Sequence, residues 1–161
     1  MNFQLMEYKF PETYETLRKE EQLNKLRIIS SALNLTKDSI LLDLGCGTGL
    51  SNQVFNCKII GLDLEYNLLK QAKFNKVLGF GEILPFKDKA FDAVISVTSL
   101  HNFNNIEQAL KEIKRVGKTF AFSVLRKSIK YGYIIELISR EFEINEIIEE
   151  RNDTILICKS L

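Results

Sequence analysis

Leu41-Leu42-Asp43-Leu44-Gly45-Cys46-Gly47-Thr48-Gly49-Leu50 is a short apolar run that breaks into three spaced glycines and then opens a helical pattern. Glycine has no β-carbon, so a chain of this kind turns sharply and lets a ligand rest against its amides. The turn follows a strand, and open α/β sheets bind ligands at the carboxyl ends of their strands. A glycine-rich turn also occurs as a bare tight turn, so its meaning depends on what surrounds it.

Downstream, apolar runs and helical patterns alternate. Lys58 to Asp63 reads as a second strand, Lys76 to Gly79 as a third, Phe91 to Val97 as a fourth and Lys118 to Leu125 as a fifth. Helices are predicted near Leu50 to Phe55, from Glu65 to Phe74, through Ile106, Ala109, Leu110, Ile113 and Val116, and from Ile129 to Ile138. Ahead of the sheet, Leu17, Leu23, Leu26, Ile29, Ala32 and Leu33 recur at helical spacing, which predicts one or two helices between about Thr13 and Leu35. Such alternation builds a parallel sheet covered on both faces, because each crossover is right-handed and packs back on the sheet. The end differs. Phe142 to Glu149 and Thr154 to Cys158 are strands joined by Arg151-Asn152-Asp153, an antiparallel hairpin. Dinucleotide-binding folds usually finish with parallel strands, so this ending is informative.

Two carboxylates flank the loop. Asp63 ends the second strand, near the interval at which a carboxylate meets a ribose in nucleotide-binding βαβ units. Read without the loop, it is an ordinary solvated aspartate. Asp43 lies inside the first strand, where a dinucleotide site carries an apolar residue. It would repel a pyrophosphate and attract the ammonium of an amino-acid ligand, or it accepts bonds from the loop's own amides. The loop reads GxGxG rather than GxGxxG. Both features weigh against a nicotinamide-dependent oxidoreductase.

The 161 residues suit one domain, 1–161, with a helical segment over about 1–36. Lys and Arg number 22 against 21 Asp and Glu, so no long-range field points to nucleic acid, although a basic patch formed in the fold stays open. Cys46, Cys57 and Cys158 show no CxxC or CxxH spacing, which argues against a disulfide framework or a metal site. The start, MNFQLMEYKFPE, lacks the plan of a signal peptide, and no apolar run approaches the ~20 residues that span a bilayer. A cytoplasmic protein without a membrane partner is expected.

With these residues in place, the chain resembles the class I S-adenosylmethionine-dependent methyltransferases, type 11, over about residues 36 to 125. ILLDLGCGTGL is similar to that family's first motif, IIGLDLEYNLLKQAK to its second, and GEILPFKDKAFDAVISVTSLHNF to the stretch through the fourth strand. NIEQALKEIKRVGK is similar to the helix that follows. The resemblance implies a Rossmann-like, doubly wound seven-stranded sheet, mostly parallel with an antiparallel last strand. It implies S-adenosylmethionine as cofactor and S-adenosylhomocysteine as product. By position, Gly45, Cys46, Gly47 and Gly49 would pack on the methionine part, with Asp43 near its amino group. Asp63 would hold the ribose, with Leu64 and Leu68 against the adenine. Gly81, Glu82 and Ile83 would border the adenine edge, and Ser96 and Val97 would floor the sulfonium.

Three departures accompany it. An acidic residue commonly stands two positions before the one matching Glu82, and here it is Phe80, which moves adenine recognition to Gly81–Ile83. The helix after the glycine loop is short, and Val116-Gly117-Lys118 replaces a Pro-Gly-Gly turn. His101, the only histidine, follows the fourth strand and is either a proton acceptor beside the donor methyl or a loop residue bonded to backbone. Tyr8 and Tyr14 would close over the cofactor or simply pack. No (Asn/Asp)-Pro-Pro-(Tyr/Phe) motif follows the fourth strand, which argues against methylation of planar amino groups. The acceptor, small molecule or macromolecule, is not named by these residues. No cap is inserted after the fifth strand, so a macromolecular acceptor, a second copy or a partner subunit would complete the acceptor site. The alternative reading is a non-catalytic cofactor-binding subunit or scaffold.

Overall fold

The computed structural model describes residues 11–161, with side chains from Glu15 onward. Seven strands form one sheet in the order β3-β2-β1-β4-β5-β7-β6. They are β1 (Ile40–Leu44), β2 (Lys58–Asp63), β3 (Asn75–Leu78), β4 (Phe91–Val97), β5 (Gly117–Leu125), β6 (Phe142–Glu150) and β7 (Asp153–Ser160). β1 to β5 pair in parallel, while β7 runs antiparallel to both β5 and β6. The doubly wound, mostly parallel sheet with a reversed last strand is therefore present. The hairpin enters it with β7, not β6, against β5.

Helices cover both faces. α1 (Pro11–Leu33) lies on one face, where Leu26 and Ile29 pack with Leu41, Ile59, Ala93, Ile95 and Ala121. Asn34, at φ 50, turns the chain out of that helix. α3 (Ile106–Val116) and α4 (Tyr131–Glu141) cover the other face over Leu42, Leu44, Val94, Phe120 and Phe122. Asn105 caps α3 by accepting from the Gln108 amide, and its apolar stripe from Ile106 to Val116 is buried. Strands buried on both faces read as continuous apolar runs, which is why they stand out in the sequence.

The segment after β2 departs from expectation. In place of a helix from Glu65 to Phe74 there is one turn, α2 (Tyr66–Leu69). A β-carbon on Gly61 would lie 2.3 Å from the Phe74 ring, and one on Gly49 3.0 Å from it. The ring thus fills space that two glycines leave open, and the chain bends inward before a second helical turn forms. Lys76 Nζ then accepts the role of cap, donating to the carbonyls of Lys70 and Ala72. The helix expected near Leu50 is likewise a 3-10 turn, Leu50–Gln53. No helix lies between β3 and β4. That connection is tied to α3 instead, with Glu112 accepting from the Leu84 amide and Arg115 donating to the carbonyls of Leu84 and Phe86. Among the described residues no helix is long and apolar enough to cross a membrane.

Candidate functional site

The carboxyl ends of β1, β2 and β4 meet α1 around a cavity of about 880 Å³. This is the size of a pocket for a cofactor-sized ligand. Asp43, Gly45, Cys46, Gly47, Asp63, Leu64, Leu68, Gly81, Glu82 and Val97 all line it. The fold gathers these residues from four separate connections.

The loop is built by its glycines. Gly45, Gly47 and Gly49 have φ values of 75°, 52° and 84°, in the left-handed region that L side chains avoid. Gly45 is also required by contact, since a β-carbon there would sit 2.6 Å from Ser99 Cβ and Oγ. The amides of Gly45 and Cys46 both donate to the Leu62 carbonyl, which pins the loop to the end of β2.

The two carboxylates have divided the work differently from the sequence reading. The loop amide goes to Asp63, whose Oδ2 accepts from Gly47 N–H at 2.7 Å and whose Oδ1 accepts from Glu65 N–H at 2.8 Å. Asp43 is buried and accepts instead from the Ser51 hydroxyl at 2.5 Å. Burial pushes its carboxyl up to about 6, the Ser51 bond opposes this, and the Asp63 charge adds to it. Cys46 is buried, and burial, Asp43 and Asp63 raise its thiol well above the ordinary range. It is a small space-filler, not a nucleophile. Cys158 is buried too, whereas Cys57 is half-buried.

The profile of the methyltransferase-domain family, type 11, matches residues 42–122, half of the chain. The chain belongs to that family of class I S-adenosylmethionine-dependent methyltransferases. It is 34% identical over 123 residues to the uncharacterized protein MJ1252 of Methanocaldococcus jannaschii, covering 72% of this chain and 49% of that one. It is 39% identical over 88 residues to the human mitochondrial arginine-hydroxylase NDUFAF5, covering 49% and 26%. The chain thus spans about half or less of the length of these curated relatives. A solved S-adenosylmethionine-dependent methyltransferase from Aquifex aeolicus shares the fold, with a TM-score of 0.71 at 16% identity over 88% of this chain and 92% of that one.

Within this methyltransferase domain the other predicted residues are placed as follows. Gly49 lies behind the loop, with Ala72 and Phe74 against it. Neighbouring strand residues point to opposite faces. Val97 therefore meets the cavity while Ser96, fully buried, turns away and bonds the Ser99 hydroxyl at 2.5 Å. Glu82 Oε1 accepts from the Asn105 amide at the start of α3, and Ile83 is 76% exposed outside the lining. His101 sits in a 3-10 turn, Leu100–Asn102, beside the cavity but not among its lining residues. Burial first, and then the nearby Lys130 charge, lower the pKa of its imidazole, against Asp153. Tyr8 and the Tyr14 side chain lie outside the described residues.

Sequence reasoning missed a buried charge cluster at the same end of the sheet. Lys25, 1% exposed, projects from α1 to within 3.0 Å of Asp153 Oδ1, which has no solvent exposure. That contact is an ion pair without hydrogen-bond alignment, so Oδ1 has no hydrogen-bond donor. Oδ2 accepts from Thr98 at 2.8 Å and from Ser123 at 2.5 Å. Thr98 lines the cavity at φ 52, a strained backbone for a β-branched residue. The available signal is Lys25 itself, a lysine between Leu23 and Leu26 on an apolar stripe.

Proposed function

We propose that the chain binds S-adenosylmethionine in this cavity and transfers its methyl group to an acceptor presented at the carboxyl ends of β4 and β5. The observation that carries this reading is the charge of the wall. Among the described lining residues are five carboxylates, Glu15, Asp43, Asp63, Glu65 and Glu82, against two cations, Arg18 and Lys19. Such a wall attracts a ligand bearing an ammonium and a sulfonium and repels a pyrophosphate. Asp43 would face the ammonium, the glycine loop would carry the methionine part, and Asp63 would take the ribose hydroxyls. Leu64 and Leu68, both partly exposed on the cavity, would hold the adenine.

The cofactor supplies a methyl group already activated as a sulfonium substituent. The chain's own task is to hold the acceptor in line and to keep water away. No histidine stands among the described lining residues. His101, next to lining Asn102, would be the residue to receive a proton if the acceptor must lose one. Only the short stretch between Leu125 and Tyr131 separates β5 from α4, so the acceptor end is open. A macromolecular acceptor, a second copy or a partner subunit would close it.

Incubation with methyl-tritiated S-adenosylmethionine and fractionated small molecules, proteins and RNA tests transfer. Label should enter one fraction and be lost in Asp63→Ala. Retained cofactor binding without label in any fraction would contradict transfer.

A further inference from the structure

Among the described residues the sheet ends in two unpaired edges, β6 on one side and β3 on the other. A strand edge presents free amides and carbonyls, and proteins blunt it with charge, a bulge or a cover. β6 is blunted twice. It carries Glu143, Glu146, Glu149 and Glu150 with no basic residue, and its register shifts between Ile144 and Glu146. Two copies meeting along it would set carboxylate against carboxylate.

β3 lacks both devices. No carboxylate occurs from Tyr66 to Gly81, and the register of β3 on β2 is unbroken. The Gly79 amide donates to the Asp63 carbonyl, so by alternation Lys76 and Leu78 turn their amides and carbonyls outward. Lys76, whose charge would blunt the edge, instead folds back onto the carbonyls of Lys70 and Ala72. Tyr66, Leu78, Phe80 and Ile83, on β3 and the segments flanking it, are each more than half exposed, and none lines the cavity. Large apolar side chains collected beside an open edge mark an interface.

We infer that the outer edge of β3 pairs with the same edge of a second copy of this chain, antiparallel and about a two-fold axis. Such a contact needs a self-complementary surface. The charges along β3 provide one. Lys70 and Lys73 precede the strand and Glu82 follows it, so reversing one copy sets the basic start against the acidic end. Main-chain bonds from Lys76 and Leu78 would join the sheets into one of fourteen strands, twice the seven of one copy. β2 and β1 stand between this edge and β4, so the contact leaves the acceptor end open. It is also independent of which cofactor the cavity takes.

Sedimentation velocity of the full chain over a concentration series tests this. A reversible dimer is expected, and one short strand with four side chains places it among the weaker interfaces. Leu78→Arg sets a cation opposite Lys76 of the second copy and should weaken the dimer about tenfold or more, the scale of an anchor side chain. Phe80→Ser should weaken it as well, and Ile147→Arg on the β6 edge should not. All three side chains are exposed, so the variants are expected to fold, and circular dichroism checks this. A monomer at every concentration overturns the inference, and so does a dimer that both β3 variants leave intact.

Discussion

The amide of Gly47 donates to Asp63 Oδ2 at 2.7 Å, so the carboxylate that ends β2 also holds the glycine loop in shape. Asp63→Ala should therefore remove a proposed ribose contact and loosen the loop together. We expect a loss of ~1.5–3 kcal/mol in S-adenosylhomocysteine binding, the scale of hydrogen bonds to a charged group. Asp63→Asn keeps an acceptor for one amide and should lose less. An unchanged dissociation constant in folded Asp63→Ala would remove this residue from the site.

Asp43 should make both stability and binding depend on pH. Its carboxyl is raised from 3.8 to about 6 in the fold, chiefly by burial. The folded chain thus holds that proton more tightly than the unfolded one, and the unliganded protein loses stability as pH climbs from about 4 through 6. Above that range the cost is on the order of 3 kcal/mol. Asp43→Asn should raise the thermal midpoint at pH 7.5 and leave it unchanged near pH 4. A bound ammonium favours the ionised form, so ligand binding near pH 6 should release part of a proton. Titrations in two buffers of different ionisation enthalpy measure it, and equal heats at pH 6 would contradict the pairing.

Lys25 and Asp153 predict a large stability effect from a residue outside the cavity lining. Removing one partner of a buried pair leaves an uncompensated charge, which costs about 3–5 kcal/mol. Lys25→Met should show this in urea unfolding, because Asp153 would keep only its bonds from Thr98 and Ser123. A loss below ~1 kcal/mol would mean that the cluster is not isolated from water.

The strands, the reversed ending and the gathering of Asp43, the glycine loop and Asp63 were legible in the sequence for physical reasons. Buried strands are apolar runs, and sharp turns need glycine. What was not legible depends on contacts between distant segments. Phe74 halts α2 by filling the space over Gly49 and Gly61, which no local propensity records. Asp153 reads as a turn residue after Arg151-Asn152, yet it begins β7 fully buried because Lys25, 128 positions earlier, meets it there. The pair Ser96 and Val97 could not both face one cavity, since strand alternation allows only one.

Adenine recognition should be permissive. Phe80, where the resemblance would put an acidic residue, is 54% exposed and outside the cavity lining, and the Glu82 carboxylate is engaged by the Asn105 amide. The amine would then meet backbone near Gly81 and Glu82, which line the cavity, with the ring held by the apolar faces of Leu64 and Leu68. Burial tolerates loss of an exocyclic amine better than a site built to bond it. An S-adenosylhomocysteine analogue lacking that amine should bind within about tenfold of the parent. A larger preference, above ~1.4 kcal/mol, would mean that a dedicated acceptor reads the amine.

This acidic, glycine-floored cavity is expected to take a sulfonium nucleoside and not a dinucleotide. Calorimetric titration of the unsubstituted protein with S-adenosylmethionine, S-adenosylhomocysteine and NAD tests it directly. Saturable binding of the first two, with none of NAD, is the predicted result; binding of NAD alone would contradict it.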